Sequence, residues 1–312
     1  MMDLIVLIAS LAGLWWGTEL SVRAALRIAE SRGLSQAFVG MTVLAIGTDV
    51  PEMVMAIVAA VGRLQGVEAS GLVLGSAIGS CMGQIAMVLG VAGLSGYLTL
   101  GAKRVWADGT MVLGSIIVFA LVCLDGEVSR VEGGILLTSY VVYFISLIRR
   151  ERAPAPKSER RIPCLKDFGK CAVGLVLVTG FSHACIRSAL ALAESWDLGQ
   201  TLIGVLIVGL GTSLPELALS LGAVRRKAGA LSVGNILGSN VFDMLVPPGA
   251  AALIAGINAD IPGLLNFDIP ALTFVSVAAL VFFLRKRGLQ KLEAWTLLFL
   301  YITYVTARIL WV

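Results

Sequence analysis

Apolar positions run together along this chain in long stretches, separated by short polar connections. The apolar runs cover residues 2–29, 36–61, 69–97, 104–123, 131–149, 167–193, 200–224, 229–255, 268–284 and 293–311. Each is close to the ~20 residues that a helix needs to cross the hydrocarbon core of a bilayer. The pattern predicts an all-α polytopic membrane protein with ten transmembrane helices. Composition agrees, with 58% hydrophobic and only 14% charged residues, where a soluble globular chain is about a quarter charged. A compact soluble enzyme is excluded on this ground.

Charge placement orients the spans. One set of connections carries Arg32, Lys103 and Arg104, the run from Arg149 to Lys166, Arg225 to Lys227, and Arg285 to Arg287 with Lys291. The alternate set carries little: Arg63 with Glu68, then Asp125, Glu127 and Arg130, then Glu194 and Asp197, then Asp260. Lys and Arg collect on the cytoplasmic side. Both termini are therefore expected outside the cell (plasma or inner) membrane, with the linker in the cytoplasm. The basic clusters are short and sit where topology requires them, so nucleic acid is not an expected partner. Residues Met1 to Trp16 lack the basic start and cleavage site of a signal peptide and are expected to form the first span. Cys81, Cys123, Cys164, Cys171 and Cys185 show no paired or metal-ligand spacing and are expected to be packing residues.

The linker "RRERAPAPKSERR" divides the chain into residues 1–148, a connector at 149–166, and residues 167–312. The flanking parts align. Leu34, Gln36, Gly40, Gly47, Thr48, Pro51 and Glu52 match Leu198, Gln200, Gly204, Gly211, Thr212, Pro215 and Glu216 at a constant offset of 164. A second block, Gly75–Gln84, matches Gly234–Asp243 at an offset of 159. Five spans per half is an odd number, so the halves are expected to lie in opposite orientations. Inverted repeats of this kind build secondary transporters whose sites lie near the membrane midplane.

The repeated motifs are "AIGTDVPEMV" and "GLGTSLPELA". Pro51 and Pro215 each remove a backbone donor, and Gly47 and Gly211 loosen the helix before them. Broken helices are expected there, with carbonyls free to bind an ion. Irregular backbone at membrane depth is tolerated where it lines a cavity. Carbonyls, threonine hydroxyls and carboxylates are hard oxygen ligands that suit Na⁺ or Ca²⁺. Glu52 and Glu216 are the leading candidates, since an intramembrane acid costs at least ~2.5 kcal/mol and no Lys or Arg stands near either motif. The second block adds Ser80 with Gln84, and Ser239 with Asp243, each pair on one helix face. Its glycines are expected to serve close helix packing. Glu19 and His183 align across the repeat and are expected to act as interhelical polar contacts, or to face water near the span ends, rather than to form a proton relay; Asp108 is expected at the interface.

"GTDVPE" and "GTSLPE", each followed by a "GS" helix, resemble the alpha repeats of the cation/calcium antiporter superfamily, in particular its sodium/calcium exchanger branch. The resemblance spans the ten-helix chain and is most specific over Leu34–Leu94 and Leu198–Leu245. It implies a central site that is alternately open to each side and exchanges Na⁺ for Ca²⁺. By that resemblance Glu52 and Glu216 bind Ca²⁺, the carbonyls of Thr48 and Thr212 complete its shell, and the carbonyls of Ala45 and Gly209 with the hydroxyls of Ser80 and Ser239 serve flanking Na⁺ sites. Asp243 takes the midplane acid position and Gln84 the position opposite. The first span of each half is implied to slide as a gate.

Two positions depart from the family pattern. Gln84 stands where Asn is usual, and Asp49 where Ser is usual, as at Ser213. Asp49 is expected either to join the other acids or to cap the helix segment after the break. Proton-coupled relatives tend to carry Asn at Thr48 and Thr212, which leans the reading toward sodium. The transported ions are substrates, no cofactor is expected, H⁺ is an alternative coupling ion, and a monomer is the expected functional unit. A channel is disfavoured, because clustered acids would hold Ca²⁺ too long for fast conduction. An intramembrane protease would need a substrate cleft that the Pro-Glu motifs do not supply.

Overall fold

The computed structural model describes residues 2–151, 165–195, 213–286 and 288–311. The helices, numbered here in chain order, are α1 (Met2–Arg32), α2 (Gln36–Leu64), α3 (Ser70–Ser95), α4 (Ala102–Val122), α5 (Arg130–Glu151), α6 (Leu165–Ser195), α7 (Leu214–Arg225), α8 (Gly229–Ala255), α9 (Ile269–Lys286) and α10 (Lys291–Trp311). Among the described residues, eight helices are long and apolar enough to cross a membrane. The two that fall short are α7, described over 12 residues, and α10, which is long enough but less apolar because it holds Glu293, Arg308 and three threonines.

One expectation about local structure is corrected. The chain does not break at Pro51: the helix runs unbroken from Ala45 to Leu64 with Pro51 inside it. The irregular turn lies upstream, where Gly40–Leu44 widens to π geometry, and α3 widens likewise at Gly83–Val88. Such single π turns shift the register of the following helix and are common at functional sites. Pro51 still leaves the Gly47 carbonyl without a helical donor. In the second motif, α7 begins at Leu214 with Pro215 in its first turn, where proline costs nothing because that N–H is unpaired anyway.

Packing is organised around α8, which is buried along most of its length from Leu231 to Ala252. Helix α2 lies against it at very close range. A methyl group at Gly40 would stand 2.7 Å from the Asn235 nitrogen, and one at Gly238 would stand 2.6 Å from the Met41 Cα. Helix α3 crosses α8 in the opposite direction, pairing Ser80 with Asp243 and Gln84 with Asn240. Helices α1 and α6 pack together through a second hydrophobic cluster, with Leu14, Val22, Ile28, Leu175 and Val178, that also takes in Val39 and Leu44 of α2, Leu219 of α7 and Leu231 of α8. They too run antiparallel: Gly13 meets Phe181, Gly17 meets Val178, Gly174 meets Ser21, and Arg27 reaches Asp167 at 3.6 Å.

The connections gather into two groups that match the two charge sets. In one, Arg104 donates to Ser35 Oγ (2.6 Å) and to Glu151 (3.0 Å), and Leu98 bridges to Leu289. Asp108 belongs to this group, and its expected interfacial placement is corrected: it is 2% exposed and held by Arg150 (3.0 Å) and Arg104 (3.5 Å). At the other end, a short antiparallel pair of strands, β1 (Glu127–Val128) and β2 (Ile257–Asn258), ties the two halves together. There Arg63 donates to Ser70 Oγ (2.7 Å), which accepts the Asn258 N–H at 3.0 Å. The four described cysteines are free and buried, as expected.

Glu19 and His183 do not meet. Glu19 pairs with Arg23 and with Arg226 beyond the end of α7, while Arg225 lies 4.3 Å over the Trp15 ring. His183 bonds the Thr179 carbonyl at 2.9 Å.

The α1–α6 seam generates a prediction. A methyl group at Gly174 would stand 2.8 Å from the Ser21 nitrogen and 3.0 Å from the Gly17 carbonyl oxygen, whereas Gly180 on the same helix is exposed and has no described neighbour within 4 Å. Gly174→Ala is expected to destabilise by about 1–3 kcal/mol through overpacking. Gly180→Ala is expected to be neutral or to gain up to ~1 kcal/mol of helix propensity. Thermal unfolding of the two variants in detergent, followed by tryptophan fluorescence, measures the difference.

Candidate cation site

Four helices bring the candidate residues together. Helix α2 supplies Ala45, Thr48, Asp49 and Glu52, α3 supplies Ser80 and Gln84, α7 with the residue before it supplies Ser213 and Glu216, and α8 supplies Ser239 and Asp243. Thr212 and Gly209 lie outside the described residues. Thr48, Asp49, Ser80, Gln84, Ser213, Glu216, Ser239 and Asp243 are all at most 3% exposed. Glu52 is half-buried and lines a cavity of about 690 Å³ that also reaches Thr48, Ser80, Pro215, Ser182 and Tyr304.

Hydrogen bonds cross from half to half. Ser80 of the first half donates to Asp243 Oδ2 of the second (2.8 Å), and Ser239 of the second donates to Asp49 Oδ1 of the first (3.1 Å). Gln84 Nε2 reaches Asp243 Oδ2 and Ser80 Oγ, each at 3.0 Å. Thr48 Oγ1 lies 3.1 Å from the Ala45 carbonyl, 3.2 Å from the Leu44 carbonyl and 3.2 Å from Asp49 Oδ1. Ser213 packs on Gly83, whose missing side chain leaves room for its hydroxyl.

The expected capping role of Asp49 does not occur. Asp49 lies inside a continuous helix whose neighbouring N–H groups are already bonded along it, so its carboxylate turns instead toward Ser239 and Thr48. Four acids, Asp49, Glu52, Glu216 and Asp243, thus share one buried region and act on one another electrostatically. Each keeps one buried oxygen without a hydrogen-bond partner: Asp49 Oδ2, Glu52 Oε2, Glu216 Oε2 and Asp243 Oδ1. Among the described residues, no ion pair reaches any of them. Nor do three His, Cys, Asp or Glu side chains among the described residues already stand as a closed metal cage. Uncompensated carboxylates repel one another, so hydroxyl and carbonyl oxygens must supply the rest of any shell.

Sequence reasoning missed Asn240. It is fully buried next to Ser239, and its amide nitrogen lies 2.8 Å from Gln84 Oε1 and 2.8 Å from the Ile236 carbonyl. Its repeat equivalent is Cys81, so the alignment of the halves gave it no weight. The available signal was an amide inside an otherwise apolar span.

Membrane-length helices around an anionic, oxygen-lined centre define a transport protein for hard cations. The chain belongs to the Sodium/calcium exchanger protein family, which matches residues 2–149 and 168–310. It is similar to the sodium/calcium exchanger MaX1 of Methanosarcina acetivorans, at 23% identity over 97% of each chain. It is also similar to the membrane protein MJ0091 of Methanocaldococcus jannaschii, at 30% identity over 74% of this chain and 75% of that one. Among solved structures, the sodium-calcium exchanger NCX_Mj superposes with a TM-score of 0.83 at 26% identity over 98% of both chains. By family the protein is a cation/Ca²⁺ antiporter, a transporter and not an enzyme.

The acid cluster predicts an effect on stability. Asp49→Asn removes one charge and keeps the shape. In cation-free detergent it is expected to raise the apparent Tm by about 2–4 °C, because one repulsive partner is gone. It is also expected to shrink the Tm increase that saturating Ca²⁺ gives the unaltered protein, since a ligand stabilises only what it binds. Scanning fluorimetry with and without Ca²⁺ reads both.

Proposed function

We propose that this protein is a Na⁺-driven Ca²⁺ antiporter of the cell membrane, built as two inverted five-helix halves and working by alternating access. The observation that carries the reading is the set of four carboxylates, Asp49, Glu216 and Asp243 buried and Glu52 half-buried, each with an unpartnered oxygen and no base in reach among the described residues. A bound cation completes such a group at membrane depth. The repeat supports the inverted arrangement: equivalent helices α1 and α6, and equivalent helices α3 and α8, run antiparallel in pairs. The two groups of connections support placing both termini outside and the linker in the cytoplasm.

In this reading Glu52 and Glu216 bridge the halves and hold Ca²⁺ directly, with the carbonyls of Thr48 and Thr212. Na⁺ takes positions that include the Ala45 and Gly209 carbonyls and the Ser80 and Ser239 hydroxyls. The Ala45 carbonyl faces the Thr48 hydroxyl and lies within the hydrogen-bonded helix, so in this reading it serves as a ligand once the hydroxyl turns away from it. Asp243 supplies the midplane charge. Asp49 adds a fourth, and Ser213 stands at its repeat position. One chain contains the whole set, which supports a monomeric functional unit.

The reading is tested by ⁴⁵Ca²⁺ uptake into proteoliposomes under a Na⁺ gradient and, separately, a pH gradient. Uptake is expected with the Na⁺ gradient alone. Uptake that follows only the pH gradient would assign coupling to H⁺ instead. Glu52→Gln and Glu216→Gln are each expected to cut exchange by about 100-fold or more, as loss of one charged ligand from a buried cation site costs several kcal/mol. Exchange at the unaltered rate in either variant would overturn the ligand assignment.

A further inference from the structure

The orientation of the Gln84 amide follows from its neighbours. A backbone carbonyl can only accept, so the end of the Asn240 amide that lies 2.8 Å from the Ile236 oxygen is its NH₂. The same NH₂ lies 2.8 Å from one end of the Gln84 amide, which is therefore the Gln84 oxygen. The Gln84 NH₂ is left facing Asp243 Oδ2 and Ser80 Oγ, each at 3.0 Å. The reverse orientation would set a carbonyl oxygen 3.0 Å from a buried carboxylate oxygen and an NH₂ against another NH₂. Each contact would be repulsive in a region of low dielectric.

Asp243 Oδ2 thus receives two donors, the Ser80 hydroxyl and the Gln84 amide, and only Oδ1 is free. Around Asp49 the pattern differs. Among the described residues, hydroxyls alone, from Ser239 and Thr48, approach its Oδ1, and no amide takes part. Cys81, at the repeat position of Asn240, has no amide to hold a partner. The two flanks of the acid cluster are therefore chemically unequal.

Taking the cluster as the cation site proposed above, we infer that Asn240 is a positioning residue: it holds Gln84 as a hydrogen-bond donor to Asp243. That corner of the site then presents N–H groups where a glutamine oxygen would otherwise help to coordinate an ion. Gln84 is a competitor of the monovalent cation at Asp243 and not one of its ligands. The extra methylene of Gln84 gives it the reach across from α3 to do this. Ca²⁺, held by Glu52 and Glu216, is little affected. Asn240 and Gln84 together set how strongly Na⁺ competes.

The test uses Gln84→Leu, Asn240→Ala, Asn240→Ser and the double variant Gln84→Leu/Asn240→Ala. Serine at position 240 can still bond the Ile236 carbonyl but is too short to hold Gln84, so it keeps the helix intact if alanine does not. Na⁺-dependent ⁴⁵Ca²⁺ exchange is measured for each. The single variants are expected to lower the Na⁺ concentration for half-maximal exchange by about tenfold, the equivalent of one hydrogen bond to a charged group. The Ca²⁺ dependence is expected to move less than about threefold, under half of that effect in free energy. The double variant is expected to go no further than Gln84→Leu, because both changes remove the same contact. Additive effects, or an unchanged Na⁺ dependence in both Asn240 variants, would overturn the inference. Unfolding temperatures of the same proteins in cation-free detergent give a second cycle that needs no transport. Coupling there without Na⁺-driven flux in the unaltered protein would leave the positioning role standing and sink the proposed transport. Flux with additive unfolding effects would do the reverse.

Discussion

Four carboxylates set among apolar helices, with no base among the described residues to neutralise them, are the constraint around which this molecule is arranged. Water cannot solvate them fully, and a compensating lysine or arginine would abolish their use. The cost of keeping such charge at membrane depth is met by hydroxyl donors from the opposite half and by cargo. A site of this kind resists closing while empty, because closure would strip the remaining water from unpaired charge. It closes readily once cations fill it. In the cycle proposed above, that difference would couple the movement of one ion to the return of another and suppress slippage of the empty carrier. The coupling then needs no separate device, since it follows from where the charge is and what is missing beside it.

Small residues put the charge there. Helix α2 can bring Asp49 and Glu52 to the centre only because Gly40, Gly234 and Gly238 let it lie almost backbone to backbone on α8. At that separation the Ser239 hydroxyl reaches Asp49. On the other side, the antiparallel crossing of α3 and α8 sets Ser80 against Asp243. Each serine therefore reports the approach of the other half. A shift of either crossing by one residue would leave an acid without its donor. The α1–α6 pair has a seam of Gly13, Gly17 and Gly174, and its apolar cluster joins it to α2, α7 and α8 through Leu44, Leu219 and Leu231.

Much of this was legible in the residues. Spans of apolar residues announce themselves in lipid because hydrophobicity is the only local requirement they must meet. The Pro-Glu motifs stood out because an acid in such a span is costly and rarely accidental. The two motifs together pointed to Glu52 and Glu216, and the second block to Ser80, Gln84, Ser239 and Asp243. What could not be read depends on partners distant in the chain. The helix tolerates Pro51 and spends its irregularity at Gly40–Leu44, where the fit against α8 decides the geometry. Asp108 looked superficial until folding brought Arg150 beside it. Asn240 matters through Gln84, on a helix that meets it only in the tertiary fold. Asp49 was ambiguous between a cap and a ligand until the continuity of its helix removed the cap.

A carrier with two identical halves would have two end states of equal energy, each the mirror of the other in the membrane. Here the halves are not identical. Glu19 on α1 pairs with Arg226 in the connection after α7, while the repeat position of Glu19 holds His183, which carries no carboxylate to form such a pair. A bond available in one end state and absent from its mirror tilts the balance between them. In the alternating-access cycle proposed above, this pair of side chains, outside the acid cluster, would bias the orientation in which the carrier rests.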